Sequence, residues 1–336
     1  MRKAGEPLEL QAVKAAARAV GHLRQGADVI TKVRSRIAFP FRAPTVPAGV
    51  ELPAKPKRTG AAYETKWARR QPARIVRALI VEGPLRAVVT TVAHPEIVGL
   101  DRLTDVADQD RPVIFAANHH SHLDAPLMIT SIPEPWRHRL VVGAAADYFF
   151  TTRITGALSA LALNAIPIER TKVNRRSADL AASLVADGWS LVIFPEGGRS
   201  PDGWGQPFRG GAAFLSVRTG APVVPVHLDG TGTIFGKGMK RPRPGTATVT
   251  FGAPLSPSTE DDARSLGTRI EEAVAVLADE AATDWWNAKR NAARGATPAL
   301  TGLASPTWRR TWALGDRRAG GPTGERRRQK RTWPKL

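Results

Sequence analysis

One seven-residue segment holds the side chains best suited to chemistry. Residues Asn118–Asp124 read Asn-His-His-Ser-His-Leu-Asp and follow a short apolar run. His119 can act as a general base near neutral pH, and a carboxylate at Asp124 can hold one imidazole nitrogen and stabilise the charged ring. Without that contact, the segment is a polar loop in which Asp124 caps a helix. The spacing favours a base at His119 that Asp124 orients.

The same segment also matches a metal-binding pattern. His120, His122 and Asp124 have the His-x-His-x-Asp spacing of binuclear metallo-hydrolases. The histidine that normally follows is replaced by Ala125, and the other histidines of the chain form no evident ligand cluster. We expect no metal site, and a metal-dependent hydrolase stays open as an alternative from a different class.

A second polar segment, Phe194–Ser200, reads Phe-Pro-Glu-Gly-Gly-Arg-Ser and also follows an apolar run. Gly197 and Gly198 permit a tight turn that exposes backbone amides. Arg199 is a fixed cation suited to planar contact with a phosphate or a carboxylate. The pattern predicts an anion site, and the alternative is a hairpin turn with a surface arginine.

Two further segments carry weaker signals. Residues Ile166–Arg170 form an apolar run that ends in the pair Glu169-Arg170, which on its own is a surface ion pair of little energetic weight. Residues 221–226 form an apolar run interrupted by prolines, among them Pro225, and spacing alone indicates a core strand.

The elements that must position these segments alternate between strands and helices. Apolar runs predict strands at Pro112–Ala117, Leu140–Val142, Asn164–Ile168, Ser190–Phe194, Val223–Leu228 and Ala247–Phe251. Helical patterns cover Ala125–Ile132, Ile154–Leu163, Ser177–Ala186 and a stretch that a capping box of Thr259 and Asp262 would open, ending near Asp284. This order predicts an α/β fold with a mostly parallel sheet flanked by helices. Ligands bind such sheets at the carboxyl ends of the strands, where both polar segments stand.

The two ends of the chain are polycations on a near-neutral body. The formal charge of the whole chain is +19, with +11 in residues 1–75, −3 in residues 76–284 and +11 in residues 285–336. Such ends attract nucleic acid, an anionic membrane or another acidic partner. The chain has no cysteine, which excludes disulfides and a thiolate nucleophile. We find no apolar run of the roughly 20 residues that a bilayer span needs and no signal peptide.

Composition divides the chain into three parts. Residues 1–65 form a basic N-terminal extension, with a helical pattern from Leu8 to about Ile37 and then a proline-rich linker. Residues 66–284 form the body, opened by an amphipathic helix over about Trp67–Val92 that Gly83-Pro84 kinks or breaks. Residues 285–336 read as an extended basic tail rich in tryptophan and arginine.

Taken in order, the four segments resemble the glycerolipid acyltransferase family, whose type member is 1-acylglycerol-3-phosphate acyltransferase. The resemblance covers roughly residues 95–255 and is most specific at Asn118–Asp124 and Phe194–Ser200. Two departures concern Asn164-Ala165, where the family often has a glycine, and Gly198, where threonine is commoner.

The resemblance implies transfer of an acyl group from coenzyme A or acyl carrier protein to a glycerol hydroxyl, with no metal or tightly bound cofactor. His119 would be the general base and Asp124 its orienting partner, and direct transfer is preferred to an acyl-enzyme on Ser121. The residues implied in substrate binding are Arg170, Glu196, Gly197 and Arg199 for the acceptor headgroup and Pro225 for the acyl region. Lysophosphatidic acid is the default acceptor, and another lysophospholipid or glycerol phosphate is the alternative.

The same resemblance gives the basic ends a role at a membrane, because acceptor and product are lipids. Lysine and arginine gain about 1 kcal/mol each near an anionic leaflet, and tryptophan favours the headgroup region. We expect a peripheral, monotopic enzyme on the cytoplasmic face of a membrane. A nucleic-acid-binding protein is the rival, but it leaves the strand-end segments unexplained, so no nucleic acid is expected as a partner.

Overall fold

A seven-stranded sheet forms the centre of the computed structural model, which describes residues 60–169 and 175–302. The strands are β1 (Pro95–Val98), β2 (Ile114–Ala117), β3 (Leu140–Ala145), β4 (Ala165–Ile168), β5 (Ser190–Ile193), β6 (Val223–Asp229) and β7 (Ala247–Phe251). Their order is β1-β7-β6-β2-β5-β3-β4, and every neighbouring pair is parallel except β6 with β7. The predicted mostly parallel α/β sheet is confirmed. β1 and β7 together run opposite to the other five strands.

The central strands are apolar along their whole length because both faces of the sheet are covered. Successive side chains of a strand point to opposite faces. In β2, Phe115 therefore enters one core cluster with Val142 and Val226, whereas Ile114 enters the other with Leu191. All four residues of β2 are buried, which makes this strand a rigid base for the segment that follows it.

The helices cover the two faces of the sheet. They are α1 (Gln71–Ile80), α2 (Arg86–Ala93), α3 (Thr104–Ala107), α4 (Asp124–Ser131), α5 (Ala146–Phe149), α6 (Arg153–Leu163), α7 (Arg175–Ala186), α8 (Gly211–Thr219), α9 (Thr231–Phe235), α10 (Ala263–Ala282) and α11 (Trp285–Ala293). No helix within residues 60–169 and 175–302 is both long and apolar enough to cross a membrane.

The leading helix is broken where its sequence predicts. A π-helical turn, Val81–Leu85, separates α1 from α2 and contains Gly83 and Pro84. Proline lacks the backbone N–H that a regular helix needs, so the wider turn accommodates it. The helical pattern over Leu8–Ile37, the proline-rich linker and the chain from residue 303 onward lie outside the described residues, and the three-part division of the chain stays a prediction.

The start of α10 differs from the prediction by one turn. Thr259 and Asp262 do not form the capping box; Asp262 caps the helix and Ser265 is its partner. The Asp262 carboxylate accepts from the Ser265 N–H at 2.7 Å, and the Ser265 hydroxyl accepts from the Asp262 N–H at 3.0 Å. Asp262 has the extended backbone that a cap requires.

The prediction of an extended tail from residue 285 is wrong over its first turns. Asp284 caps α11 by accepting from the Asn287 N–H at 2.9 Å. The helix packs on α10, with Ala288 fully buried and Asn291 donating to Asp279 at 2.8 Å. The segment after residue 284 therefore continues the body by one helix before the chain leaves the described residues.

Among the described residues, His227 is the one histidine that is buried within the sheet. It lies in the middle of β6 and is 8% exposed, and its Nδ1 has no hydrogen-bond partner within the described residues. Burial, reinforced by nearby His120, lowers the pKa of His227 to about 4 even though Asp229 acts to raise it. The native state therefore holds a neutral imidazole down to that pH.

We expect His227 to make the fold sensitive to acid. Between pH 6.5 and about 4 the unfolded chain binds a proton at His227 that the native state does not, so stability falls as pH falls. From pH 7 to pH 5 this residue should remove about 2 kcal/mol from the free energy of unfolding. Urea unfolding of wild type and His227→Gln at both pH values measures the difference. The control is His94→Asn, which replaces an exposed histidine and should leave the pH dependence of the free energy of unfolding as in wild type. If His227→Gln also leaves that dependence as in wild type, the prediction is contradicted.

Candidate active site

Two polar segments meet at one edge of the sheet because β2 and β5 are neighbours and parallel. Asn118–Asp124 follows β2, and Phe194–Ser200 follows β5. Asn118 fixes the first segment to β6: its side-chain amide donates to the Leu228 carbonyl at 2.9 Å and accepts from the Leu228 N–H at 2.7 Å. Both bonds are buried, so the end of β2 has little freedom.

The predicted contact between His119 and Asp124 is present. His119 Nδ1 lies 2.8 Å from Asp124 Oδ2, and the Asp124 side chain is fully buried at the start of α4. The same oxygen accepts from the backbone N–H groups of His120 and Ser121 at 2.7 and 2.8 Å. A carboxylate that takes these donors is an acceptor only, so the proton of the neutral imidazole resides on Nδ1. The lone pair of Nε2 is then available to a reacting group.

The His119 ring is held on its flat side and by its backbone. It stacks on Phe194 with ring centroids 4.3 Å apart and planes 21° apart. The buried Glu196 carboxylate accepts from the His119 N–H at 2.9 Å and from the Gln206 N–H at 3.0 Å. Glu196 therefore positions the histidine segment, and its buried negative charge is unsuited to direct contact with an anionic headgroup.

Arg199 is the cation of this edge. The Ser200 N–H donates to the His119 carbonyl at 2.7 Å, which ties the turn that carries Arg199 to the histidine. Arg199 is half-buried, and its Nη1 is buried without a hydrogen-bond partner within the described residues. An unsatisfied guanidinium nitrogen beside a histidine is well placed to take an anionic group.

Gly197 is required by backbone geometry and by a neighbour. Its φ is +70°, and an added Cβ would lie 3.0 Å from Nε and 3.1 Å from Cζ of Arg209. The Arg209 guanidinium thus lies over the Gly197 turn. The backbone N–H of Arg209 donates to the Pro195 carbonyl at 2.9 Å. Arg209 was missed in the sequence because the residues around it form no recognisable pattern, and only the fold brings it to this turn.

His122 forms an aromatic wall beside the cation. Its ring centroid is 5.2 Å from that of Phe235 and 6.0 Å from that of Tyr148. Burial lowers the pKa of His122, and the charge of Arg199 lowers it further, so the ring favours its neutral form. Burial also lowers the pKa of His120.

Ser121 has a structural role. It is fully buried, its hydroxyl donates to the Phe235 carbonyl at 2.9 Å, and its oxygen accepts from the Leu123 N–H at 3.1 Å. This arrangement disfavours the nucleophile considered for Ser121. Within residues 60–169 and 175–302 no three histidine, aspartate or glutamate side chains are grouped as metal ligands.

Two predicted site residues remain, Arg170 and Pro225. Arg170 lies outside the described residues, of which Glu169 is the last before the gap. Pro225 is buried in the interior of β6, paired with Ala116, and an added Cβ at Gly252 would lie 2.8 Å from its ring. It is therefore set back from the edge that carries His119, and its predicted acyl contact stays a prediction.

Comparison with known proteins finds similarity to acyltransferases. Residues 95–229 match the family model described as Acyltransferase. A chloroplastic 1-acyl-sn-glycerol-3-phosphate acyltransferase of Brassica napus is 33% identical over 147 residues, which are 43% of this chain and 40% of that protein. The alpha form of the mouse enzyme is 25% identical over 180 residues, 52% of this chain and 61% of that protein.

Among solved structures, the 1-acyl-sn-glycerophosphate acyltransferase PlsC of Thermotoga maritima matches with a TM-score of 0.46 and 24% identity, covering 61% of this chain and 81% of that one. The chain spans about half the length, or less, of the first curated relatives that it matches.

We predict that Gly197→Ala is more destabilising than its backbone strain alone would make it. A left-handed conformation costs an alanine about 1–2 kcal/mol, and at residue 197 the added methyl must also displace Arg209. Gly220→Ala is the matched control, because its φ is +71° and nothing lies within 4 Å of an added Cβ. Urea unfolding of both variants measures the difference. Equal losses of stability would show that Arg209 does not constrain the Gly197 turn.

Proposed function

We propose that the protein is an acyltransferase of the glycerolipid type that acylates the free hydroxyl of 1-acylglycerol-3-phosphate. The match of residues 95–229 to the Acyltransferase family model and the similarity to 1-acyl-sn-glycerol-3-phosphate acyltransferases support the proposal. The acyl donor is a thioester of coenzyme A or acyl carrier protein, and the product is phosphatidic acid. The observation that carries the proposal is the His119–Asp124 pair, at 2.8 Å, on the same edge of the sheet as Arg199. The alternative acceptors are another lysophospholipid and glycerol phosphate.

His119 acts as the general base in this proposal. Nε2 takes the proton of the acceptor hydroxyl while the hydroxyl oxygen attacks the thioester carbonyl. The carbon–sulfur bond then breaks, and the proton on His119 passes to the departing thiolate. Asp124 holds Nδ1–H and stabilises the imidazolium between these steps. General base catalysis of this kind contributes about 10²–10⁴-fold to the rate.

Arg199 supplies the charge that recognises the phosphate of the acceptor. Its buried Nη1 has no partner in the described part of the chain, and a phosphate oxygen would satisfy it. A charge-assisted hydrogen bond of this kind is worth about 1.5–3 kcal/mol. His122 and its aromatic neighbours close the same side, and Glu196 and Gly197 shape the turn that presents the arginine. Arg170 completes the proposed headgroup set.

The described surface supports a peripheral position on a lipid bilayer. Ile75 and Leu79 of α1 are 59% and 69% exposed, and Ile154 and Leu158 of α6 are 73% and 62% exposed. The two helices pack against each other, and we call these four exposed apolar side chains together the α1–α6 surface. Exposed apolar side chains on neighbouring helices are typical of membrane contact.

Replacing His119 by alanine should remove catalysis while leaving the fold intact. We expect thiol release from long-chain acyl-CoA, in the presence of lysophosphatidic acid, to fall at least 100-fold. Because the chain has no cysteine, a thiol reagent reports only the product. His94→Asn is the control, since it removes an exposed histidine at a positive φ that asparagine tolerates. Retention of more than a tenth of wild-type activity in His119→Ala would rule out the proposed base.

The same assay distinguishes between the candidate acceptors and between the candidate donors. Acceptor-dependent release with lysophosphatidic acid alone supports phosphatidic acid synthesis. Release only with another lysophospholipid or with glycerol 3-phosphate would replace the acceptor and keep the reaction, and replacing acyl-CoA by acyl carrier protein tests the donor. Failure of every pair with folded, vesicle-bound protein would overturn the proposed activity.

The α1–α6 surface predicts the effect of charge on vesicle binding. The double variant Ile75→Asp with Leu79→Asp should weaken binding to anionic vesicles about 100-fold or more, because two side chains lose apolar burial worth about 1.5–3 kcal/mol each. The matched control places aspartates at Phe214 and Val217, an exposed apolar pair on α8, which covers the other core cluster. Flotation with vesicles measures both. Equal weakening in the two double variants would show that α1 has no special part in binding.

A further inference from the structure

A buried arginine, Arg77, lies on α1. Arg77 is 7% exposed, and its Nη1 donates to the Ala68 carbonyl at 2.9 Å and lies 3.5 Å from that of Leu161. Its Nη2 is buried and has no hydrogen-bond partner among residues 60–169 and 175–302. Within the same residues no carboxylate forms an ion pair with Arg77. A buried charge left without a counter-charge costs several kcal/mol, so this position is one where an anion would be stabilising.

Arg77 lines a small cavity that is partly open to solvent. Three other basic side chains share the lining, Arg74, Arg137 and His138. The rest of the wall is mostly apolar and includes Ala78, Val81, Ile129, Leu140 and Leu163. We call this space the α1 cavity. Its composition, basic groups on apolar walls, suits a small anion or an anionic headgroup.

The two carboxylates near the α1 cavity lie at its exposed rim, and each already contacts other basic side chains. Glu82 is 41% exposed, accepts from Arg86 at 3.0 Å and lies 3.5 Å from both Arg137 and His138. Glu134, 56% exposed, lies 3.4 Å from His138. Neither reaches Arg77. The inner end of the cavity is therefore positive.

Arg77 is charged at neutral pH in spite of its surroundings. Burial lowers its pKa to about 10, and the charges of Arg74 and Arg69 act in the same direction. A guanidinium among like charges is an unfavourable arrangement, which a phosphate group would relieve. Arg74 is itself held in place, since its guanidinium lies 5.5 Å from the Trp189 ring.

The α1 cavity is separate from the candidate active site. Arg137 and His138 directly precede β3, and Leu163 directly precedes the turn into β4, so the cavity opens at the amino edge of these parallel strands. His119 and Arg199 follow the carboxyl ends of β2 and β5, at the opposite edge. A ligand in the cavity therefore touches none of the groups assigned to acyl transfer.

We propose that the α1 cavity binds a phosphate group, as a free phosphate or as the headgroup of an anionic lipid. Arginine matches phosphate oxygens with paired donors and is less strongly hydrated than lysine, which suits a partly buried site. The cavity is partly open to solvent, so the organic part of a phosphate ester would extend out of it. α1 also carries the exposed Ile75 and Leu79, so a bilayer at the α1–α6 surface would bring lipid phosphates close to the cavity.

Phosphate binding by the full-length chain tests the proposal without reference to its activity. Arg199→Met serves as the reference protein, so that phosphate at the candidate active site does not contribute. Thermal unfolding at constant ionic strength, titrated with inorganic phosphate, gives an apparent dissociation constant. Adding Arg77→Met should raise that constant at least tenfold, and adding Arg137→Met should raise it about threefold or more.

The control variant removes one positive charge at a position away from the cavity. Arg218→Met removes an exposed arginine that pairs with Asp179 on another face, and it should leave the dissociation constant unchanged. If Arg77 serves only to hold the Ala68 and Leu161 carbonyls, Arg77→Met lowers the melting temperature equally at every phosphate concentration. That result, together with a wild-type response in Arg137→Met, would overturn the proposal. Arg137 is less buried than Arg77, with a side chain 21% exposed that donates to the Ile132 carbonyl at 2.9 Å, so the second variant remains informative if the first does not fold.

Soluble short-chain lipids distinguish the two sources of phosphate. Dioctanoyl phosphatidic acid and dioctanoyl phosphatidylglycerol replace inorganic phosphate in the same titration. A response to the lipids that depends on Arg77 and exceeds the response to phosphate identifies a lipid headgroup as the ligand. An Arg77-dependent response to inorganic phosphate alone identifies free phosphate. No Arg77-dependent response to any of the three probes would rule out the site.

Discussion

The bond between Asp124 and His119 depends on one carboxylate oxygen that also organises the backbone around it. Asp124 Oδ2 accepts from the imidazole and from two consecutive backbone N–H groups, all within 2.8 Å. The carboxylate lies at the first residue of α4, where the positive end of the helix dipole favours negative charge. The same atom therefore sets the path of the loop, the tautomer of His119 and the direction of Nε2. Asn118, Ser121 and Glu196 at this edge of the sheet keep that loop in place.

The supporting contacts come from three strands and are mostly buried. Asn118 bonds the end of β2 to β6, Glu196 bonds the segment after β5 to His119, and Ser121 bonds the loop to α9. In a dry environment such polar contacts are stronger, and each is costly to break because its partner would be left unsatisfied. Ser121, considered as a nucleophile, and Glu196, predicted to bind the headgroup, thus both make buried contacts that hold the loop of the base.

The parts of the fold that follow from local rules were visible in the sequence. Buried parallel strands are continuous apolar runs, and the break at Gly83-Pro84 follows from the chemistry of proline. The pairing of His119 with Asp124 follows from their spacing across a strand end. Contacts between distant segments were not visible: Arg209 over Gly197 depends on the course of a loop, and the α1 cavity depends on how α1 packs beside β3. The start of α10 was predicted one turn too early because Thr259 and Asp262 have the same spacing as the true capping pair, Asp262 and Ser265.

The reversed direction of β1 and β7 determines the edge at which the chain enters the sheet. β1 runs opposite to β2, so the chain enters the sheet at the same edge as the His119 loop. α2 ends there, and its Val92 carbonyl accepts from the Gly245 N–H at 3.0 Å. The two leading helices thus connect the amino edge of β3 to the edge that carries the base. A surface that holds α1 consequently fixes the direction in which His119 points, and that direction decides whether a substrate anchored in the surface can reach it.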